Sequence, residues 1–370
     1  MKLSLVGPTF PIKGGISHHV YWLQRELRQQ GHEVQTISLQ TLYPALLLRL
    51  FHRTPSIDTS RSAFETASLP LLHPTNPLTW LRAARAIRAF APRAVIIQWW
   101  NPFFAPMLGC LSRLVKRDGT DVVFECHNVL PHERSRFDRA ALRFAFATAS
   151  AFLVHSQKVL EELRPIARDK PALVTPLPVI DDFAAEPTSD RSGRVILFFG
   201  LVRKYKGLDV LLAALPKVLS RLSCELIVAG EFYVPVDKYL AMAQELGVEE
   251  HVHLENRYIP NEEVPLLFDR ADVLVMPYLS ATQSGVILMA FLNRLPVIAS
   301  RTGELVETVQ EGVNGLLFPP GDADALADRL LQYFENGLGP IFSRNLETYR
   351  APSTDVGEVI ERLIDEATPA

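Results

Sequence analysis

Residues 271–300 read ADVLVMPY, LSATQSGV, ILMAFLNR and LPVIAS in succession: an apolar strand, a small polar loop, an apolar helix and a second apolar strand. A strand–helix–strand unit of this kind is one turn of an open α/β sheet, in which parallel strands are covered on both faces. The loop falls where a strand ends and a helix begins. The first backbone N–H groups of that helix have no partner within it, so they point outward and can hold an anion. This loop is therefore the first candidate for an active site.

The same alternation extends through the chain. In the first half, Leu3 to Gly7, Glu33 to Leu39, Ala94 to Trp99, Asp121 to Cys126 and Ala151 to Val154 read as short buried strands. Ile16 to Gln30 reads as a helix stopped by Gly31, and a long irregular stretch precedes Ala94. Residues 179–193, VIDDFAAEPTSDRSG, lose periodicity and read as a linker. A second series follows: RVILFFG, CELIVAG, HVHLEN, DVLVMPY, LPVIAS and GLLFPP, with helical segments between. The expected organisation is a Rossmann-like domain over 1–178, a linker over 179–193, a second Rossmann-like domain over 194–340, and a helical tail over 341–370 packing back toward the first domain. Two such domains would leave a cleft facing the carboxyl ends of both sheets, where ligands belong.

Composition narrows the class. With 48% hydrophobic and 21% charged residues among 370, the chain reads as an ordinary globular protein of two domains. No segment is apolar for long enough to span a membrane, and the start MKLSLVGPTF runs into a strand without a signal-peptide pattern. Three scattered cysteines give neither a disulfide framework nor a zinc motif, and fit a reducing, cytoplasmic setting. The net charge of −3 conceals an asymmetry: residues 1–180 hold 22 Lys and Arg against 12 Asp and Glu, while the remainder holds 16 against 29. A basic, Arg-rich first half suits a phosphorylated partner or an anionic membrane surface, peripheral on the inner face, or is simply a solvated basic face. Nothing points to nucleic acid. The apolar stretches TLYPALLLRLFHR (41–53) and WWNPFFAPMLGCL (99–111) fit either a lipid-linked acceptor or plain core helices.

Three segments carry chemistry. FFGLVRKYKG (198–207) places Arg203, Lys204 and Lys206 between a strand end and a helix start, as a diphosphate needs. VGPTFPIKGGIS (6–17) places Gly14 and Gly15 at a first strand-to-helix turn, where backbone approaches a phosphate closely. VVFECHNVLPHE (122–133) offers Glu125, His127, Asn128, His132 and Glu133 at the end of an apolar strand, with His127 the strongest functional candidate. Two other patterns are set aside. Asp322-Ala323-Asp324 resembles a metal-binding DxD, but opens the periodic run ALADRLLQYF, where Asp322 reads as a helix cap. His18 and His19 stand at a helix start with no ligand-spaced partner in the local sequence, so no metal site is expected.

Taken together and in order, KGGIS, ECHN, FFGLVRKYKG, VAGEF, DVLVMPY and LPVIASRTGELVETVQEGVNGLLFPPGD resemble the retaining nucleotide-sugar glycosyltransferases of family 4, which have the GT-B fold. The likeness covers nearly the whole chain and is strongest from Val195 to Arg329. It implies a donor held mainly by the second domain and a carbohydrate or lipid-linked acceptor held mainly by the first. Arg203 and Lys206 would hold the diphosphate and neutralise the leaving group in place of a metal, with His127 on the donor sugar. Donor contacts would also come from Gly14, Gly15, Glu231, Asn256, Tyr258, Thr282, Gln283, Ser284, Gly285 and Val286. The acceptor would meet His18, Asn128 and His132. The nucleoside diphosphate sugar is a substrate and no cofactor is implied; UDP and GDP fit alike.

The chain also departs from that family. Most relatives carry two glutamates separated by seven residues across the loop at 279–286 and the helix after it; Ala281 and Met289 stand in those places. The Arg that commonly follows the glycine of the basic turn is Leu201, with Arg203 as its substitute. The ATQSG loop resembles a subset of the family in which backbone amides and small polar side chains replace the glutamates. Two readings remain: a metal-independent retaining hexosyltransferase serving glycolipid, polysaccharide or other glycoconjugate synthesis, or a non-catalytic sugar-nucleotide-binding homologue.

Overall fold

The computed structural model describes all residues except 45–47, 50–56, 61–66, 117–119, 130–137, 185–192, 282–283, 350–354 and 368–370. His132, Glu133, Thr282 and Gln283, and much of 41–53, lie outside the described residues. The chain divides into two compact units. Unit 1 comprises Met1–Asp58, Ala63–Pro178 and Pro352–Ala370; unit 2 comprises Thr59–Ser62 and Val179–Ala351.

Unit 1 holds seven strands: β1 (Lys2–Val6), β2 (Glu33–Leu39), β3 (Leu69–Leu72), β4 (Ala94–Trp99), β5 (Asp121–Cys126), β6 (Ala151–Val154) and β7 (Ala172–Val174). They form one sheet in the order β3-β2-β1-β4-β5-β6-β7, and all its pairings are parallel. All six residues of β4 are buried, as expected of a strand covered on both faces. β3 and β7 escape the sequence pattern for local reasons. Both are edge strands; β3 is LPLL with a proline, and β7 is only three residues of intermediate burial.

One face of this sheet packs Trp99, Phe104, Leu108, Phe124, Phe146 and Phe152. Most of the apolar run 99–111 is thereby core: Trp99, Phe104, Met107, Leu108 and Leu111 are buried, while Phe103 stays exposed. The opposite face packs Leu3, Leu5, Ile96 and Val123 against Leu23 and Leu27 of helix Gly15–Gln29. Val356, Ile360, Leu363 and Ile364 of the C-terminal helix Val356–Ala367 close the same layer. Each such side chain contributes on the order of 1.5–3 kcal/mol. The C-terminal segment is divided between the units, because the preceding helix, Leu338–Glu347, buries Phe342 in the core of unit 2.

Unit 2 holds β8 (Val195–Phe199), β9 (Glu225–Ala229), β10 (Val252–Glu255), β11 (Val273–Met276), β12 (Val297–Ser300) and β13 (Gly315–Phe318). Their order is β10-β9-β8-β11-β12-β13, again with parallel pairings. In each sheet the strand order reverses once, between β1 and β4 and between β8 and β11. Loops leaving the carboxyl ends of strands beside such a reversal are splayed apart, which makes room for a ligand. Asp322 caps the helix Ala323–Glu335, its side chain accepting from the Ala325 amide.

Candidate active site

The reversal point of unit 2 brings together the two segments that the sequence singled out. The basic turn leaves β8 through Gly200, tightens into a single turn over Lys204–Lys206, and passes through Gly207 into helix Leu208–Leu219. The polar loop leaves β11 and enters helix Gly285–Leu292. The Leu279 amide donates to the Tyr205 carbonyl at 2.7 Å, which fastens the loop to the turn. The Lys206 ammonium sits 5.4 Å from the Tyr278 ring centroid. A Cβ built on Gly200 would meet Lys206 Nζ at 2.9 Å and Val286 Cγ2 at 3.7 Å, so Gly200, Lys206 and Val286 adjoin.

Gly207 explains the Lys-Gly signature. It adopts φ 69°, and a Cβ there would lie 2.0 Å from the Pro277 carbonyl oxygen. Alanine would strain the left-handed backbone and force the turn off the β11 end. Gly207→Ala should therefore cost about 3 kcal/mol, read as a lower urea midpoint. An unchanged midpoint would show that the turn does not depend on this close approach.

The electrostatics of the turn suit an anion. Lys206 is 7% exposed and its ammonium makes a long 3.4 Å hydrogen bond to the Phe199 carbonyl. Burial pulls the Lys206 pKa below its usual value; Tyr205 opposes this and Arg203 adds to it. A bound diphosphate would supply the missing counter-charge. Arg203 lies with its guanidinium 4.7 Å from the Tyr233 ring centroid, a stacking that holds the side chain in place. Burial pushes the Tyr278 hydroxyl up to about 12, opposed by a side-chain hydrogen bond with Ser284. It is neutral at ordinary pH. Ser284 precedes the first turn of helix Gly285–Leu292 without capping it through its side chain, leaving that turn's amides uncapped by Ser284.

Other donor candidates fare differently. Asn256 accepts from the Phe232 amide through its side-chain oxygen at 3.0 Å, which gives that oxygen a structural duty. The Glu231 carbonyl accepts from the Val202 amide, tying its strand end to the basic turn. Tyr258 is half-buried two residues beyond Asn256.

In unit 1, Gly14 takes φ 124°, and a Cβ on either Gly14 or Gly15 would meet nothing within 4 Å, so the turn after β1 is open to close approach. The helix that begins there carries His19 into the carboxyl ends of β4, β5 and β6. His19 Nε2 lies 2.7 Å from Glu125 Oε1, and His155 Nε2 lies 3.3 Å from the same oxygen without a well-aligned hydrogen bond. Gln98 Nε2 donates to Glu125 Oε2 at 2.5 Å, and Gln98 Oε1 faces His127 Nε2 at 2.6 Å. His127 is the partly exposed member of this cluster. Burial alone would raise the Glu125 pKa, but the His19 and His155 imidazoles hold it well below the usual carboxylate range. Burial, reinforced by the same two imidazoles, pushes His127 well below its usual value. His18 faces Asp58 at 3.8 Å, while Asn128 follows His127 half-buried.

His19 thus has ligand-spaced partners after all. His19, His127 and His155 offer ring nitrogens within 4.8 Å of one another, the one metal-capable grouping among the described residues. The local sequence concealed it because His19 and Glu125 are 106 positions apart. Nε2 of His19 and Nε2 of His127 are already engaged, with Glu125 and Gln98 respectively. Gln98 and His155 went unremarked in the sequence, although a polar residue inside VIIQWW and a histidine ending the strand in LVHS were visible signals.

Each unit is an α/β parallel sheet with a turn suited to a phosphorylated ligand beside its strand-order reversal, a glycine turn in unit 1 and a basic turn in unit 2. Residues 13–179 match the family model described as Glycosyltransferase Family 4, and residues 193–336 match Glycosyl transferases group 1. The two matched segments follow one another and together cover most of the chain. An uncharacterized glycosyltransferase of Methanocaldococcus jannaschii is 32% identical over 142 residues, 37% of this chain and 36% of the relative. The GDP-mannose-dependent alpha-(1-6)-phosphatidylinositol monomannoside mannosyltransferase of Mycolicibacterium smegmatis is 37% identical over 130 residues, 33% of each. The match thus spans about a third of the length of these curated relatives. Among solved structures, Anabaena HepE in complex with UDP and glucose superposes with a TM-score of 0.72 at 17% identity, covering 99% of both chains. Sucrose-phosphate synthase from Thermosynechococcus elongatus gives 0.71 at 17%, covering 99% of this chain and 96% of its own. These likenesses establish the fold class, GT-B. No helix among the described residues is long and apolar enough to cross a membrane.

Proposed function

We propose that this chain is a metal-independent, retaining glycosyltransferase that moves a hexose from a nucleoside diphosphate sugar to an acceptor hydroxyl. The observation that carries the reading is the joining of the Arg203–Lys206 turn to the loop before helix Gly285–Leu292, beside the strand-order reversal of unit 2. Two cations and the first amides of a helix suit a diphosphate there. The bond between the anomeric carbon and the diphosphate oxygen breaks, and the acceptor oxygen takes its place on the same face. The acceptor proton leaves with the diphosphate. Arg203 and Lys206 stabilise the departing charge, the role a divalent cation fills elsewhere. Gly285 and Ser284 contribute backbone amides, Gly14 and Gly15 let backbone approach the phosphates, and His127 contacts the donor sugar. The relatives support this donor class: one is named as GDP-mannose-dependent, and another was solved with UDP and glucose.

Incubation with a panel of UDP- and GDP-hexoses, with candidate glycan and lipid-linked acceptors, should release nucleoside diphosphate in the presence of EDTA and give a product of unchanged anomeric configuration by NMR. Binding of a donor without release, even to water, would favour the non-catalytic homologue instead.

A further inference from the structure

Glu125 is fully buried at the end of β5, and a carboxylate can only accept hydrogen bonds. The neighbouring Gln98 is equally buried, and its amide must turn its NH₂ to that carboxylate; the contact is 2.5 Å. Its oxygen is then left facing His127 Nε2 at 2.6 Å. An amide oxygen also only accepts, so the proton in this contact belongs to His127 Nε2. The lone pair of the neutral ring is consequently on Nδ1.

The rest of the cluster keeps this polarity fixed. Glu125 Oε1 is taken up by His19 Nε2 at 2.7 Å, with His155 Nε2 3.3 Å away, so the carboxylate meets donors from helix Gly15–Gln29 and β4 and is flanked by a ring from the end of β6. His155 is itself oriented by Nδ1, 3.1 Å from the Thr175 carbonyl. Gly7, at the end of β1, makes room for the relay: a Cβ there would stand 2.6 Å from Gln98 Cγ. The charged or titratable groups around His127 are Glu125, His19 and His155, and burial together with the two imidazoles favours its neutral form.

We propose that Glu125 and Gln98 are positioning residues that lock His127 as the Nε2–H tautomer, so that its Nδ1 accepts a hydrogen bond from a hydroxyl of the donor sugar. This rests on the reading that His127 meets that sugar. It narrows the donor class. A neutral ring offering a lone pair suits a hydroxyl that can donate, and opposes a carboxylate at the same position.

Selective ¹⁵N-histidine labelling tests the tautomer directly, with the His127 signal assigned by its disappearance in His127→Gln. The expected spectrum shows a neutral Nε2–H ring between pH 8 and pH 6; an Nδ1–H ring, an imidazolium or stoichiometric bound zinc would overturn the proposal. Gln98→Leu should release the tautomer and lower kcat/KM for the donor by on the order of 10–100-fold, chiefly through KM. A released tautomer with unchanged donor kinetics would overturn the positioning role. If Gln98→Leu does not fold, the wild-type spectrum still decides. Wild-type donor KM in His127→Gln would remove the underlying reading while leaving the tautomer result standing.

Discussion

Replacing Lys206 by methionine should lower transfer by on the order of 100–1000-fold while leaving the urea midpoint unchanged or raised. The two readouts move apart for one reason. The ammonium is 7% exposed, with one long hydrogen bond of 3.4 Å and the Tyr278 ring in place of its water, so folding strips its hydration and returns only part of it. An apolar chain of similar length removes that cost, and with it the charge proposed to receive the diphosphate. The pH dependence carries the same signature. The folded pKa of Lys206 lies below its unfolded value, so between the two the unfolded chain binds more protons and stability rises with pH. The destabilisation is complete below the folded pKa and fades as pH climbs through it toward the ordinary lysine range. Lys206→Met should lack this alkaline gain. Arg203→Ala should match the loss of transfer without the gain in stability, since its guanidinium stacks on Tyr233. Wild-type transfer in either variant would sink the assignment of the basic turn.

The second large effect is on stability. Glu125→Leu should destabilise unit 1 by about 3–5 kcal/mol, because removing one partner of a buried charge cluster leaves the others uncompensated. Gln98 and His19 would each lose a hydrogen-bond acceptor that no water can replace in a site this buried. The wild-type acid limb should differ as well. The folded pKa of Glu125 lies well below its unfolded value, so its contribution is present above the ordinary carboxylate range and is lost as pH falls through the depressed folded pKa. Urea titrations between pH 7 and pH 3 should show a shallower acid loss in Glu125→Leu. A cost under about 1 kcal/mol, with identical acid slopes, would mean the carboxylate is not the hub of the cluster.

The origin of these effects divides between chain and fold. Apolar runs of strand length, punctuated by glycine turns, specified two parallel sheets, and the basic turn and polar loop were visible as separate segments. Strands β3 and β7 were not, because a proline-bearing edge strand and a three-residue edge strand bury too little to print a pattern. Asp322 was legible as a cap because capping is local, between Asp322 and Ala325. Asn256 was legible as a polar residue, but its structural bond was hidden, since the amide it accepts from belongs to Phe232, 24 positions away.

By itself, then, the sequence determined the fold class and the presence of a basic turn between a strand and a helix, both of which depend on periodicity and on residues a few positions apart. Only the tertiary structure decided what the polar residues do. Strand order sets β8 beside β11, which fastens the basic turn to the polar loop. Packing of β4, β5, β6 and the first helix gathers Gln98, Glu125, His155 and His19 around His127. Protonation and hydrogen-bond direction are properties of neighbours within about 3–4 Å, and those neighbours come from strands far apart along the chain.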